Sequence, residues 1–346
     1  TLSDTDTANN PELITNGTFA SGVTGWATNG GSIAWNGSSD QTATVTSNGS
    51  SIWNGATQTL TGLEVGKTYF LTADIITSSN WGSIGFSAGP GSGNRYGSYT
   101  SWNGGSTFPM KAKAQFTAAA TSVTVTIDSL NTTNATVTKV DNISVREAEE
   151  DRSVNGKGLQ VFGTVTKTAV ATGADLVAYS GFSASNYLQQ PYNADLDFGT
   201  GDFSVTLWLK RGNNGIILFH RQDLGQSGNG YRLNLASTGV LQFITSLGSS
   251  NSSVLTFGSP QQYVWTHVCI TRSSGTLRGY ENGVLKQTLA STTNVTNTSA
   301  ILDVGISTIY NAPAVNSSLA LFRISATAPS PEQIAKMYND EKHLFQ

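Results

Sequence analysis

The residues best suited to ligand chemistry are large aromatics set in a segment rich in glycine, serine and asparagine, residues 78–110. A Trp or Tyr ring offers a flat apolar face with a polar edge. Such a ring can stack on a sugar while neighbouring polar side chains bond to the hydroxyls. The segment therefore predicts contact with carbohydrate. The candidate contacts are Trp81, Tyr96, Tyr99, Trp102 and Arg95, with Trp35 and Trp53 from neighbouring loops.

Two other interpretations fit the same aromatic residues. Aromatic patches also mark protein interfaces, so the rings equally suit a contact with another subunit or with another protein of the same particle. They also suit packing among themselves at the open end of a β-sandwich. The sequence leaves these alternatives open.

Catalytic arrangements are not evident in the sequence. Retaining glycosidases need two carboxylates about 5 Å apart. Asp195 and Asp197 have a suitable spacing, but they precede a strand, where we expect them to cap a turn. The three histidines form no nucleophilic triad and no zinc-like pattern. We therefore predict that the protein is not an enzyme.

Composition narrows the classes of partner. A net charge of −3 over 346 residues gives no basic field for nucleic acid or for an anionic membrane surface. No segment approaches the roughly twenty apolar residues of a membrane span. The single cysteine, Cys269, excludes an internal disulfide and a cysteine-rich zinc site. A neutral polar partner such as a polysaccharide fits best.

The elements that must position the aromatics are strands. Apolar residues recur with a period of two between glycine and asparagine turns, and a helical pattern occurs only near the end. This predicts an all-β chain of two tandem β-sandwich (jelly-roll) domains with a short C-terminal helix. We place the domains at residues 10–147 and 154–346.

A charged linker at residues 148–153 separates the two predicted domains. Six of the seven residues from Arg146 to Arg152 are charged. We expect these two arginines to bond locally to the acids of the linker or to the domain faces. The linker is short, so we also expect a fairly fixed angle between the domains.

Four runs in the first domain match a known family. They are residues 12–19 with the turn before Trp26, residues 68–75, residues 122–127 and residues 137–145. Together they resemble carbohydrate-binding modules of families 4 and 9, in the galactose-binding-like β-sandwich group. The resemblance implies a β-sandwich that has Trp26 and Tyr69 in its core and that binds glycans.

The same resemblance implies a structural calcium ion near the ends of the first domain. Asp141 matches the acidic position of the closing strand, and Glu12 is a candidate helper. Ala20 stands where the family usually has an acid, which removes one of the oxygen ligands that calcium prefers. The alternative is that Asp141 bonds to a turn.

Three runs in the second domain match in the right order: residues 195–210, 263–272 and 276–285. They resemble laminin-G-like domains of the concanavalin A-like fold, and Asn282-Gly283 predicts a type I′ hairpin turn. The resemblance implies that four residues lie in the core and carry no ligand chemistry: Trp208, Trp265, His267 and Cys269.

The chain ends with a helix signal. Ser330 to Gln333 forms a capping box with proline at the first helical position, and Ile334, Met337 and Tyr338 follow at helical spacing. This ending resembles that of laminin-G-like domains in structural proteins of tailed bacteriophages.

That resemblance implies a bacteriophage virion protein: a tail fibre, head fibre or decoration protein on the particle surface. We expect it to be a homo-oligomer that contacts other virion proteins and binds host-surface or environmental polysaccharide. The alternatives are a purely structural subunit-contact protein of the particle and a secreted bacterial carbohydrate-binding module.

Overall fold

In the computed structural model the chain divides into two compact units, Asn10–Ala148 and a second that begins at Glu149. The structure describes residues 10–49, 51–103, 105–132, 135–149, 157–223, 225 and 227–345. Each unit consists of two antiparallel sheets, and a short helix ends the chain. The predicted fold class, two tandem β-sandwiches with a C-terminal helix, is confirmed.

The first unit contains two five-stranded sheets, ordered β1-β4-β9-β6-β7 and β2-β3-β10-β5-β8. The strands are β1 Ala27–Asn29, β2 Gly31–Trp35, β3 Ala43–Ser47, β4 Gly55–Thr61, β5 Thr68–Ser78, β6 Gly82–Ser87, β7 Arg95–Trp102, β8 Met110–Thr117, β9 Ser122–Ser129 and β10 Val137–Glu147.

Every second side chain along these strands points between the two sheets, and together these side chains form the core. On β9, the side chains of Val123, Val125 and Ile127 lie in the core. Burying an aliphatic side chain of this size stabilises the fold by about 1.5–3 kcal/mol. Trp26 and Tyr69 also lie in this core, as the resemblance implied.

Two segments of the first unit differ from the sequence-based expectation. The sequence of residues 12–19 predicts a short strand that runs into a glycine-rich turn, but these residues form turns, with positive φ at Asn16 and Phe19. The polar segment 78–110 contains β6 and β7, which were not predicted. Their apolar residues are sparse, because Ile84 and Phe86 alternate with glycine and serine.

The second unit contains two seven-stranded sheets, ordered β11-β14-β23-β16-β17-β18-β19 and β12-β13-β24-β15-β20-β21-β22. The strands are β11 Gln160–Phe162, β12 Thr166–Ala169, β13 Val177–Ser180, β14 Tyr187–Gln190, β15 Phe203–Lys210, β16 Ile216–Gln222, β17 Gly230–Leu235, β18 Leu241–Leu247, β19 Ser250–Phe257, β20 Trp265–Ser273, β21 Thr276–Glu281, β22 Val284–Ala290, β23 Ile301–Val304 and β24 Ser318–Ser325. Short 3₁₀ helices span Ala194–Leu196 and Lys342–Phe345.

Helix α1, Pro331–Glu341, covers part of the outer face of the second of these sheets. Ser330 and Gln333 form the expected capping box. Ile334 packs with Cys269 and Tyr280. The Trp208 Nε1 atom donates a hydrogen bond of 2.7 Å to Glu341. The predicted core residues Trp208, His267 and Cys269 are buried, and Trp265 is half-buried against the same cluster.

Two residues of the predicted linker, Ala148 and Glu149, lie in the described part of the chain. Glu149 exchanges two backbone hydrogen bonds of 2.9 Å with Leu159. Its buried carboxylate accepts a hydrogen bond from the Tyr179 hydroxyl and lies 3.2 Å from the Lys167 ammonium. Because its backbone and its charge both find partners there, Glu149 belongs to the second unit.

The arginines that flank the linker were expected to bond locally. Arg146 donates a hydrogen bond to the Asn10 carbonyl and lies 3.4 Å from the Glu12 carboxylate, both within the first unit. Arg152 lies outside the described residues. The fixed angle between the domains stays a prediction.

Candidate functional site

The outward face of the sheet that contains β6 and β9 is polar, and yet it is buried. Residues on β9 that alternate with the core valines point away from the core, as do the serines of β6. All are at most 4% exposed, so other side chains cover them. They are Ser83, Ser87, Thr124, Thr126 and Asp128.

Arg95, at the start of the edge strand β7, lies across this face. Its guanidinium donates hydrogen bonds to Thr126 and Asp128, and to the Ser83 hydroxyl at 3.0 Å. The Arg95 and Asp128 side chains are 7% and 1% exposed. Burial raises the pKa of Asp128, and the adjacent Arg95 charge opposes that shift. The pair therefore brings no net charge to the face while Asp128 is ionised.

Two aromatic rings flank the Arg95 guanidinium. Its carbon lies 4.9 Å from the centroid of the Trp53 ring and 5.9 Å from that of Tyr99. Cations within about 6 Å of a ring centroid are attracted to its face. Tyr99 is 47% exposed and Trp53 is half-buried, so each ring keeps surface for a ligand. We call these three residues the Arg95 cluster.

Two glycines leave room for the Tyr99 and Trp53 rings, and the backbone conformation at Trp53 positions its ring. A side chain at Gly85 would lie 2.7 Å from the Tyr99 Cβ atom, and one at Gly93 would lie 2.8 Å from the Trp53 Nε1 atom. Trp53 has a φ of 68°, a region that bulky residues rarely occupy and that is often found at functional sites. Its N–H donates a hydrogen bond of 2.8 Å to the Ser129 carbonyl, which holds this conformation.

The other predicted contacts lie outside the Arg95 cluster. Trp102 is 2% exposed and belongs to the core, because alternation along β7 turns it inward, and this removes it from the candidate contacts. Tyr96 also turns inward and stacks on Phe116, although 44% of it remains exposed. Trp81 is 52% exposed and lies between β5 and β6. Trp35 belongs to the other sheet, and its Nε1 atom donates a hydrogen bond to the Phe19 carbonyl.

The predicted calcium donors are not assembled. One oxygen of Glu12 accepts the Ile14 and Val145 N–H groups, and the other accepts the Ser144 hydroxyl. Burial and the neighbouring Asp74 and Asp40 charges raise the pKa of Asp141. No group of three or more His, Cys, Asp and Glu side chains is placed to hold a metal ion in the described part of the chain. The calcium ion at Asp141 stays a prediction.

A second polar face lies on the seven-stranded sheet β11-β14-β23-β16-β17-β18-β19. His220 and Arg232 are paired across β16 and β17, and both are buried. The His220 imidazole bonds to the Ser307 hydroxyl at 2.7 Å and to the Gln222 amide oxygen at 3.1 Å. Burial and the Arg232 charge lower the pKa of His220 to about 3, so the ring is neutral at physiological pH.

Tyr310, in the loop between β23 and β24, covers this second face. Its ring stacks on His220 at 5.4 Å, and the Arg232 guanidinium carbon lies 5.3 Å from its centroid. Tyr310 is nevertheless 42% exposed. Sequence reasoning missed this arrangement, because Tyr310 is a lone aromatic in a loop far along the chain from its partners.

The paired sheets of each unit define a two-domain β-sandwich protein. Its second unit has the concanavalin A-like lectin fold. Residues 182–335, less than half of the chain, match the laminin-G family model that is described as the concanavalin A-like lectin/glucanases superfamily. No curated protein matches the chain. Among the described residues, no helix has the length and apolarity that crossing a membrane requires.

Several solved structures are distantly similar to the chain. The receptor-binding domain of botulinum neurotoxin C/D mosaic serotype is 19% identical, with a TM-score of 0.46 over 56% of this chain and 49% of that chain. The binding domain of Paraclostridial Mosquitocidal Protein 1 is 18% identical, with a TM-score of 0.44 over 55% and 49%. The chain thus spans about half the length of the structures it matches. These similarities are too distant to support any conclusion about ligands.

Proposed function

We propose that the first unit binds uncharged glycans at the Arg95 cluster. The observation that carries this proposal is that Trp53 and Tyr99 flank one guanidinium whose charge Asp128 neutralises. Two rings fixed on one scaffold provide a stacking surface that needs little ordering when a sugar binds. Because the cluster has no net charge, it favours a ligand without charge.

Arg95 acts here as a positioning residue. Its two terminal nitrogens already bond to Thr126, Asp128 and Ser83, so it holds the two rings and leaves the ligand contacts to them. The hydroxyl of Tyr99 and the exposed Asn94 supply polar groups beside the rings. This assignment differs from the sequence-based expectation, in which Arg95 bonded directly to a sugar.

A glycan array of neutral oligosaccharides, probed with the full chain, tests this proposal. We expect Trp53→Ala and Tyr99→Ala to weaken binding by about tenfold to a hundredfold, the range typical of a buried aromatic contact. Trp35→Ala, which removes an exposed tryptophan of the other sheet, serves as the matched control and should bind as the parent does. Unchanged binding after Trp53→Ala, with an unchanged melting curve, would exclude the cluster.

A second role, contact between subunits, is favoured by the exposure of Trp81 and Tyr96 outside the cluster. Exposed aromatics of this kind are enriched at protein interfaces. We propose that they contribute to a homo-oligomer. Light scattering of the full chain should show an oligomer that Trp81→Ala weakens, and a monomer at all concentrations would refute this role.

We keep the virion surface as the proposed setting, because the chain ending resembles that of laminin-G-like domains in bacteriophage structural proteins. The particle would then display the Arg95 cluster to host-surface or environmental polysaccharide. Antibody labelling of purified particles tests the setting. Particles that lack the protein would leave the secreted carbohydrate-binding module as the setting to adopt.

A further inference from the structure

Three arginines of the second unit are more than nine-tenths buried, and they differ in how their charge is compensated. Arg221 pairs with the Asp197 carboxylate. Arg272 donates hydrogen bonds of 2.6–2.8 Å to three backbone carbonyls. A buried cation is costly unless it is paired or fully bonded. Both of these arginines meet that requirement, and Arg232 does not.

Arg232 is 8% exposed. One terminal nitrogen is 2.9 Å from the Asn251 amide oxygen, the other is 3.4 Å from the Ser246 hydroxyl, and Nε has no partner. Among the residues that the structure describes, no carboxylate pairs with it. The charge is therefore compensated only by two neutral groups and by the Tyr310 ring.

The partners of Arg232 are accessible although Arg232 itself is buried. Asn251 is exposed and lies on the edge strand β19, so solvent reaches its side chain. Tyr310 is 42% exposed, while His220 and Arg232, which are neighbours across two strands, lie under its ring. An incoming anion can therefore reach the guanidinium by replacing the Asn251 oxygen.

We propose that Tyr310, Arg232 and Asn251, which we call the Arg232 patch, bind an acidic saccharide. The sugar carboxylate takes the place of the Asn251 oxygen and supplies the missing counter-ion. Planar carboxylate matches the fork of a guanidinium, and charge-assisted hydrogen bonds of this kind are about twice as strong as neutral ones. The exposed part of the Tyr310 ring stacks on the sugar.

The surroundings favour a ligand with one negative charge over a polyanion. Buried His220 is neutral at physiological pH, so it adds no second cation to the patch. The chain as a whole carries a net charge of −3, which does not attract nucleic acid. A single guanidinium beside a single exposed ring matches one carboxylate on one sugar.

Saturation-transfer NMR on the full chain tests this proposal. The ligands are the methyl glycosides of glucuronic, galacturonic and N-acetylneuraminic acids, with those of glucose and galactose as neutral counterparts. We expect at least one acidic glycoside to bind. Arg232→Gln and Tyr310→Ala should each weaken that binding by about tenfold or more. Trp53→Ala should leave it unchanged, which separates this site from the Arg95 cluster.

Asn251→Asp is the decisive variant, because it keeps Arg232 and supplies an internal carboxylate at the position of the ligand. It should abolish acidic binding even if Arg232→Gln fails to fold. Thr256→Asp, which adds the same charge to the same strand about 17 Å away, is its matched control and should bind as the parent does. The proposal is overturned if no acidic glycoside binds, or if Asn251→Asp binds one as well as the parent chain.

Discussion

The Arg95 cluster and the Arg232 patch both place a buried arginine beside an exposed aromatic ring on the outward face of a sheet. They differ in the counter-ion. Arg95 has the Asp128 carboxylate within the fold, whereas Arg232 has two neutral partners in the described structure. The comparison shows how two similar sites can favour ligands of different charge: one site completes its ion pair internally, and the other leaves the carboxylate to the ligand.

The largest expected effect comes from breaking the internal pair of the first unit. Asp128→Ala would leave Arg95 as an uncompensated buried cation, which costs about 3–5 kcal/mol. The double variant Arg95→Met with Asp128→Leu should recover most of that loss, because neither charge remains. Urea denaturation of the full chain, followed by tryptophan fluorescence, measures both. Equal losses in the single and double variants would show that packing outweighs charge at this site.

Replacing the buried Arg232 of the second unit should have a milder effect on stability. Arg232→Met leaves no carboxylate without its partner, so we expect a change in unfolding free energy within about 1 kcal/mol. Denaturation under the same conditions provides the comparison with Asp128→Ala. A loss as large as that of Asp128→Ala would reveal a counter-ion for Arg232 and would remove the reason for an acidic ligand.

Acid should weaken the second unit through its two buried histidines, His220 and His267. Burial lowers the pKa of His267 to about 4 and that of His220 to about 3. The unfolded chain, with a histidine pKa of about 6.5, then binds more protons than the folded chain does. The stability that these two neutral histidines contribute is complete above pH 6.5. It declines below that pH, by up to about 1.4 kcal/mol per pH unit for each of the two.

Hydrogen exchange, which reports each unit separately, measures this pH dependence. His267→Phe should reduce the slope between pH 6.5 and 4 by the contribution of one proton. Neither nitrogen of His267 has a hydrogen-bond partner, so this substitution leaves no polar group stranded. An unchanged slope would show that His267 is protonated in the folded state.

The last expected effect is a small gain. Asn251→Asp gives Arg232 the carboxylate that Arg95 already has, at a partly exposed position, so we expect about 1 kcal/mol of added stability. Thermal denaturation beside Thr256→Asp isolates the contribution of the pair. Equal melting temperatures for the two variants would indicate that Arg232 does not need a counter-ion.

The sequence predicted the fold better than it predicted the sites. Strand alternation and the capping box at Ser330 depend on local spacing, so both could be inferred from short runs. The sites depend on contacts between distant residues, such as Arg95 with Asp128 and Arg232 with Tyr310. No local pattern shows which charges meet.

Trp102 and Tyr99 illustrate the difference. Both lie in the same aromatic segment, and composition alone does not distinguish them. The register of β7 against β6 turns Trp102 into the core and places Tyr99 over Gly85 on the outward face. Because β6 is rich in glycine and serine, the sequence did not indicate a strand, and the register could not be inferred.

The most direct test of the account is one array that carries neutral and acidic glycans, probed with the full chain and with Trp53→Ala and Arg232→Gln. We predict that the two variants lose different ligands: Trp53→Ala loses neutral glycans, and Arg232→Gln loses acidic ones. Loss of the same ligands in both variants, or of none in either, would contradict the account.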